Sequence, residues 1–458
     1  MPRCTSLIAT AMLACGLGLA ASTVHAENRP VGLSEAFAMA LDNDPQLAAV
    51  QRRYDAEGYS RDEVAGGLLP QITADANYAF SRYERNVAER NPQTLRTEQF
   101  LEMQEQNSYT WGISLNQVIY DRELFRRIDF ADSRIKLAQS EVELERNAVA
   151  ERVAEAYFEV LLSKQNLKLA ESQIKAFQAR FDQQTDWLEK GLTTRADMLD
   201  AKVRLEQAQA AKIKAENNLQ TAILRLERLT GADLGGRVKG FTPDEVARIP
   251  LEHDSEYWVN IARQNNPQVR IAERNVDVAR SEVEISRARH WPTVNLQARY
   301  SDTNALDQVI GGEDKRIFLR AQVPIYQGGS LRASTKSADA NRMGRMEELR
   351  NAQRQAELTV RETLNTYFSA QDQARALINS LQTAEAYLEA AEQSYRLGLR
   401  DLVELLDARA RVFEIERDLA QAVFEEVISL VRLYSATGRL DENTLIELDK
   451  HLKLVNNH

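Results

Sequence analysis

The sequence predicts a mainly α-helical chain that also carries membrane β-strands, written as two copies of one helix–strand–strand–helix unit. Three observations predict this class. Short motifs recur at a nearly constant offset, runs without glycine or proline far exceed ordinary helices, and four segments alternate apolar and polar residues. Internal duplication of this kind is sought first because it fixes how every later element is read.

The first 26 residues read as a secretory signal peptide: Arg3, an apolar run from Leu7 to Ala21, and Val24-His25-Ala26 as the cleavage site. Lipid attachment at Cys15, after Met12-Leu13-Ala14, is the alternative. Both cysteines lie in this segment, so the mature chain is expected to hold no disulfide and no thiolate metal site. Losing Arg3 takes the net charge from −10 to −11. An acidic chain without a basic block argues against a nucleic-acid partner.

The two copies are offset by about 207–222 residues. "DNDPQL" (42–47) returns as "QNNPQV" (264–269), and "LLPQI" (68–72) as "HWPTV" (290–294). "NQVIYD" (116–121) is echoed by "VPIYQGG" (323–329), and "AYFEVL" (156–161) by "TYFSAQ" (366–371). Gly191, Asp200 and Gly231 return as Gly398, Asp407 and Gly438. The expected organisation is a first repeat at 27–236, a linker at 237–253, a second repeat at 254–440 and a polar tail at 441–458. The offset shortens between Pro70 and Tyr120, which points to an insertion in the first copy around the polar stretch 85–107, expected as a loop.

Within each copy a helix comes first, from about Leu33 to Ala65 in copy one, with Ser34 as the cap. After the strands, residues 121–190 contain no glycine or proline, and 192–230 repeat the pattern after Gly191. A continuous helix of that size is on the order of 100 Å long; a break near Lys164–Lys168 is the alternative. Val203, Ala208, Ala211, Ala215, Leu219, Ala222, Leu226 and Leu229 predict a narrow, alanine-rich coiled-coil seam.

The strands are expected at about 71–83, 108–120, 293–303 and 316–326. Ile72, Ala74, Ala76, Tyr78 and Phe80 point one way in the first; Tyr109, Trp111, Ile113 and Leu115 do so in the second. Val294, Leu296, Ala298 and Tyr300, then Ile317, Leu319, Ala321 and Val323, repeat this in copy two. Alternation over about 10 residues is how a membrane β-strand reads. A half-buried soluble strand has the same pattern singly, but four in an exported helical chain favour lipid. Four strands cannot close a barrel, and an open edge in lipid leaves backbone groups unpaired at several kcal/mol each. Identical copies must therefore complete the cylinder; three give twelve strands, and two or four are not excluded by the count.

In their order and duplication, "NDP", "LLPQI", "VPIYQGG", "AYFEVL", "GLRDLVELLDA" and "SATGRL" resemble the TolC family of outer-membrane channel-tunnels, over about residues 33–440. The resemblance implies a homotrimer with a shared 12-strand outer-membrane β-barrel and a long periplasmic α-helical barrel. It implies docking to a periplasmic adaptor (membrane fusion) protein and to an inner-membrane pump or ABC transporter, for export of drugs or secreted proteins. In such a trimer Glu404 and Asp407, three apart on one helix face, match the acidic rings of the closed periplasmic aperture. Glu404 stands where the family has Asp. The family's lock matches Tyr395 and Arg400 on the second copy and Asp197 on the first; a neighbouring hydroxyl residue is Ala196 here. Asp200 repeats Asp407 by internal symmetry and is a weaker candidate. From the sequence alone, Asp407 and Arg411 also read as an ordinary i,i+4 ion pair.

An enzyme is not expected. The five histidines (25, 253, 290, 451 and 458) are scattered, and no phosphate cradle or nucleophile–base set is present. No cofactor or metal is expected. A periplasmic coiled-coil adaptor or structural protein is the alternative function.

Overall fold

The computed structural model describes residues 30–90, 97–239, 251, 253–305 and 312–451. The expected signal peptide, Cys15 and most of the 237–253 linker lie outside the described residues.

The first copy runs α1 (Leu33–Asn43), α2 (Pro45–Gly66), β1 (Gln71–Arg90), β2 (Thr97–Asp121), α3 (Arg122–Glu189) and α4 (Arg195–Thr230). The second repeats that order as α5 (Ser255–Asn265), α6 (Pro267–Ala288), β3 (Thr293–Ala305), β4 (Gly312–Gln322), α7 (Ser330–Arg396) and α8 (Leu402–Ala436). A terminal α9 (Glu442–His451) follows. None of the described helices is long and apolar enough to cross a membrane.

The expected single helix at 33–65 is two helices, because "DP" restarts the chain. Pro45 lacks an N–H and cannot continue α1, while Asp44 accepts from the N–H groups of Gln46 and Leu47 at 2.8 and 2.9 Å. In the second copy Asn266 does the same for Gln268 and Val269, ahead of Pro267. Ser34 lies inside α1; Gly32 is the residue before it and offers no side-chain cap. α3 runs its 68 residues without a break at Lys164–Lys168, about 100 Å.

α3 packs against α4 and α7 against α8. On α4 the buried residues include Ala201, Ala208, Ala215, Ala222 and Leu229, a seven-residue recurrence with Leu205 and Leu226 beside it. A repeat of seven on a 3.6-residue helix drifts unless the pair supercoils, so the two helices wind as a left-handed coiled coil. Val203, expected in the seam, is half exposed instead.

The largest core gathers Leu33, Phe37, Tyr157, Phe158, Tyr367, Phe424 and Leu430 around α1. Tyr157 donates its hydroxyl hydrogen bonding toward the carbonyls of Val31 and Lys239, 3.1 Å each, beside a parallel bridge between Val31 and Val238. The polar tail is not featureless: α9 lies on α1, with Leu445 fully buried in that core.

The sheet has the order β1-β2-β3-β4, every neighbour antiparallel. The stretch 85–107, expected as a loop, is largely strand: the first hairpin extends to Arg90 and Thr97, well beyond the second. β4 ends at Gln322, not 326, because Pro324 cannot donate to a ladder.

Candidate functional site: the two sheet faces and the helix turns

The register decides what the alternation means. Ile72 lies opposite Leu115, Leu115 opposite Ala298, and Ala298 opposite Ile317. One row up, Ala74, Ile113, Tyr300 and Lys315 align in the same way. Paired residues project to the same side of a sheet, so the four apolar sets merge into one continuous face. In one protomer that face is bare: Ile72 is 67%, Phe80 62% and Ile317 79% exposed. Tyr78, Tyr109, Trp111 and Tyr300 gather toward its far end, with Trp111 and Tyr300 edge to face at 5.4 Å. Such an aromatic girdle belongs at a lipid–water boundary.

The opposite face is polar and internally bonded. The hydroxyls of Thr73 and Ser114 lie 2.7 Å apart, and those of Thr110 and Thr303 3.1 Å apart. Arg299 on β3 reaches Asp75 on β1 at 3.4 Å, across the side-chain-free Gly112. A sheet with one apolar face, one polar face and two unpaired edges suits a wall between lipid and water.

At the other end of the long helices the chain turns at Gly191 and Gly398, with φ of 71° and 70°. Both turns need the left-handed region that glycine enters without a Cβ penalty. The helices restart with Thr194 and Asp401 as caps. Asp197 completes a capping box with Thr194, whose hydroxyl donates to it at 2.7 Å; those bonds hold the Asp197 carboxyl below its ordinary value.

Tyr395 and Asp197 come close but do not touch. Between them stands Gln184, fully buried. Its amide donates to the Tyr395 hydroxyl at 2.8 Å and accepts from the Thr193 hydroxyl at 2.8 Å; Thr193 in turn donates to Asp197 at 3.2 Å. Tyr395 also stacks on Trp187 with ring centroids 6.1 Å apart. Burial pushes the Tyr395 phenol up, so it stays a neutral donor and acceptor. Arg400 does not reach Asp197 within the protomer. It donates to the Tyr387 hydroxyl at 2.7 Å and lies 3.4 Å from Glu404.

Asp407 is met by Arg204 of the first repeat at 2.5 Å, not by Arg411 one turn along its own helix. Arg204 also lies 3.6 Å from Asp200, so one guanidinium stands between the two repeat-related aspartates. Behind Tyr395, Glu392 pairs with Arg409 on α8 and lies 3.8 Å from Arg180 on α3. Burial and the neighbouring Arg409 lower the Arg180 pKa. Gln184, Thr193, Arg204 and the Arg180–Glu392–Arg409 cluster escaped sequence reasoning, since polar residues at helical spacing look like solvated faces. Among the described residues no cluster of histidine and carboxylate side chains could hold a metal ion.

A helical chain whose sheet presents one face to lipid and one to water defines a protein that builds a channel wall in the outer membrane. The chain belongs to the outer membrane efflux protein family, matched over residues 37–232 and 258–439. It is 27% identical to the outer membrane protein TolC of Vibrio cholerae, over 97% of this chain and 98% of that one. It is 28% identical to the alkaline protease secretion protein AprF of Pseudomonas aeruginosa, covering 91% and 86%. Among solved structures its fold is similar to CusC (TM-score 0.74, 17% identity, 89% and 92% covered). It is likewise similar to VceC of Vibrio cholerae (TM-score 0.70, 18% identity, 89% and 96% covered). The protein is thus an export channel of the outer membrane and not an enzyme, and the adaptor or structural alternative is set aside.

Proposed function

We propose that three copies assemble into a tunnel with a twelve-strand barrel in the outer membrane and a helical barrel below it. The tunnel receives cargo from an inner-membrane pump through a periplasmic adaptor. The observation that carries this is the register, which merges four alternations into one apolar face and leaves β1 and β4 open for neighbouring copies. Relatives named for protease secretion and for toluene efflux both match this chain, so the duct serves either cargo and the pump selects it.

The resting tunnel is closed at the turns around Gly191 and Gly398. Tyr395, relayed through Gln184 and Thr193 to Asp197, holds the second repeat's coil to the first; Arg400 adds a contact to Asp197 of an adjacent copy. Opening untwists α8 and the lower part of α7 away from α3. Glu404 and Asp407, with Asp200 in a lesser role, ring the aperture.

Tyr395→Phe combined with Arg400→Ser removes a hydroxyl and a guanidinium from each copy. At ~1 kcal/mol per hydrogen bond, three copies shift the closed state by about 3 kcal/mol or more. Single-channel conductance in planar bilayers is expected to rise. Conductance equal to that of the parent protein would remove the latch.

A further inference from the structure

We propose that Arg122 and Trp291 form a binding site for the phosphate of a glycerophospholipid in the periplasmic leaflet of the outer membrane. Arg122 opens α3 immediately after Asp121, and Trp291 lies in the turn between α6 and β3. Asp121 pairs with Thr293, so both side chains stand at the level where sheet gives way to helix, the lower edge of the apolar band.

They also stand on its outer side. Tyr120 pairs with Val294, a member of the apolar face, and its ring meets Phe125 at 6.4 Å. The side of α3 that carries Phe125 therefore continues the lipid-facing surface, and Arg122, three residues earlier, shares that side. β2 and β3 are the central strands, so neighbouring copies, which join at β1 and β4, leave the site uncovered. Trp291 and Phe125 remain 47% and 43% exposed.

Charge singles out the same residue. Arg126 pairs with Asp129, Arg287 with Glu284, and Arg127 and Arg289 share Glu123. Among the described residues Arg122 has no carboxylate partner; its guanidinium lies 4.2 Å over the Trp291 ring. A guanidinium stacked by its face keeps its N–H edge free, and that fork matches two phosphate oxygens. Tryptophan beside it suits the headgroup level, where one part of the ring is wet and the other meets acyl chain. A free phosphate would need the guanidinium but not the exposed aromatic surface around it.

The test is native mass spectrometry of the delipidated full-length trimer titrated with phosphatidylglycerol. The parent is expected to retain bound lipid, and Arg122→Gln and Trp291→Leu to lose affinity by about tenfold, as for one charge-assisted bidentate contact. Arg126→Gln, which removes an already paired arginine, is expected to bind as the parent does. Arg122→Lys keeps the charge without the planar fork and is expected to fall between; it carries the same test should Arg122→Gln not assemble. Lipid binding unchanged in Arg122→Gln or Arg122→Lys, or equal loss in Arg126→Gln, overturns the site. Displacement of the lipid by inorganic phosphate at equal concentration overturns the lipid as its occupant.

Discussion

Gln184 carries no charge and no reactive atom, yet both ends of its amide are used to join the repeats at the turns. A direct Tyr395–Asp197 bond was the sequence expectation; the buried amide separates the two groups and satisfies both. Glu426 is the other residue whose role depends on what surrounds it. It is 2% exposed, accepts from Gln371 at 3.1 Å through one oxygen, and has no hydrogen-bond partner for the other. Burial pushes its carboxyl above the ordinary 4.5, against the Gln371 hydrogen bond, the attraction of Arg375 and a hydrogen bond from Tyr367. Burial likewise pushes the Tyr367 phenol up to about 12. A raised carboxyl pKa means the folded protein holds that proton more tightly than the unfolded chain. Its stabilising contribution is full below the unfolded value and declines as pH rises through the folded one. Thermal melts in detergent between pH 4 and 8 are expected to show a fall with rising pH (about 4 to 8 spans both states) that Glu426→Gln abolishes. An identical pH slope in the variant would refute the assignment.

At the scale of elements, the long helices were legible because nothing in 121–190 can interrupt them. The break at Asp44–Pro45 was visible as a repeated motif, but its meaning needed the cap geometry. The first hairpin was misjudged, since polar residues in an extended ribbon look like loop residues when neither side meets a core. β1 pairs with β2 from Gln71 to Arg90, whereas β2 meets β3 only from Ser108 onward. At about 3.3 Å per residue, its 20 residues span roughly twice the ~30 Å hydrocarbon layer. The outer part of the ribbon is therefore dispensable for the wall. Replacing residues 84–103 by Asn-Gly joins Tyr83 to Gln104, an existing cross-strand pair, through a favoured two-residue turn. That shortened protein is expected to form the same trimer, seen by light scattering in detergent, with the conductance of the parent. Loss of the trimer would show that the ribbons hold copies together.

The acidic aperture exists only at the scale of the assembly, where one carboxylate becomes a ring. Within a protomer Glu404 sits near Arg400 and Asp407 near Arg204, both pairs substantially exposed. Exposed pairs of this kind contribute only ~0–1 kcal/mol, so their consequence lies in the field at the pore more than in stability. Arg204 partly cancels Asp407. Arg204→Gln is therefore expected to strengthen cation preference, and Glu404→Gln with Asp407→Asn to abolish it. Reversal potentials in a salt gradient measure both, and an unchanged potential in the double variant would place the selectivity elsewhere.

The sequence by itself determined the duplication, the unbroken helices, the coiled-coil spacing and the need for other copies. These follow from local rules: glycine and proline placement, residue periodicity, and the count of strands that a closed cylinder requires. Only the tertiary structure decided which alternations share a side of the sheet, which arginine meets which carboxylate, and that an amide stands inside the latch. Those depend on register and on contacts between residues about 200 positions apart, which periodicity along the chain does not encode.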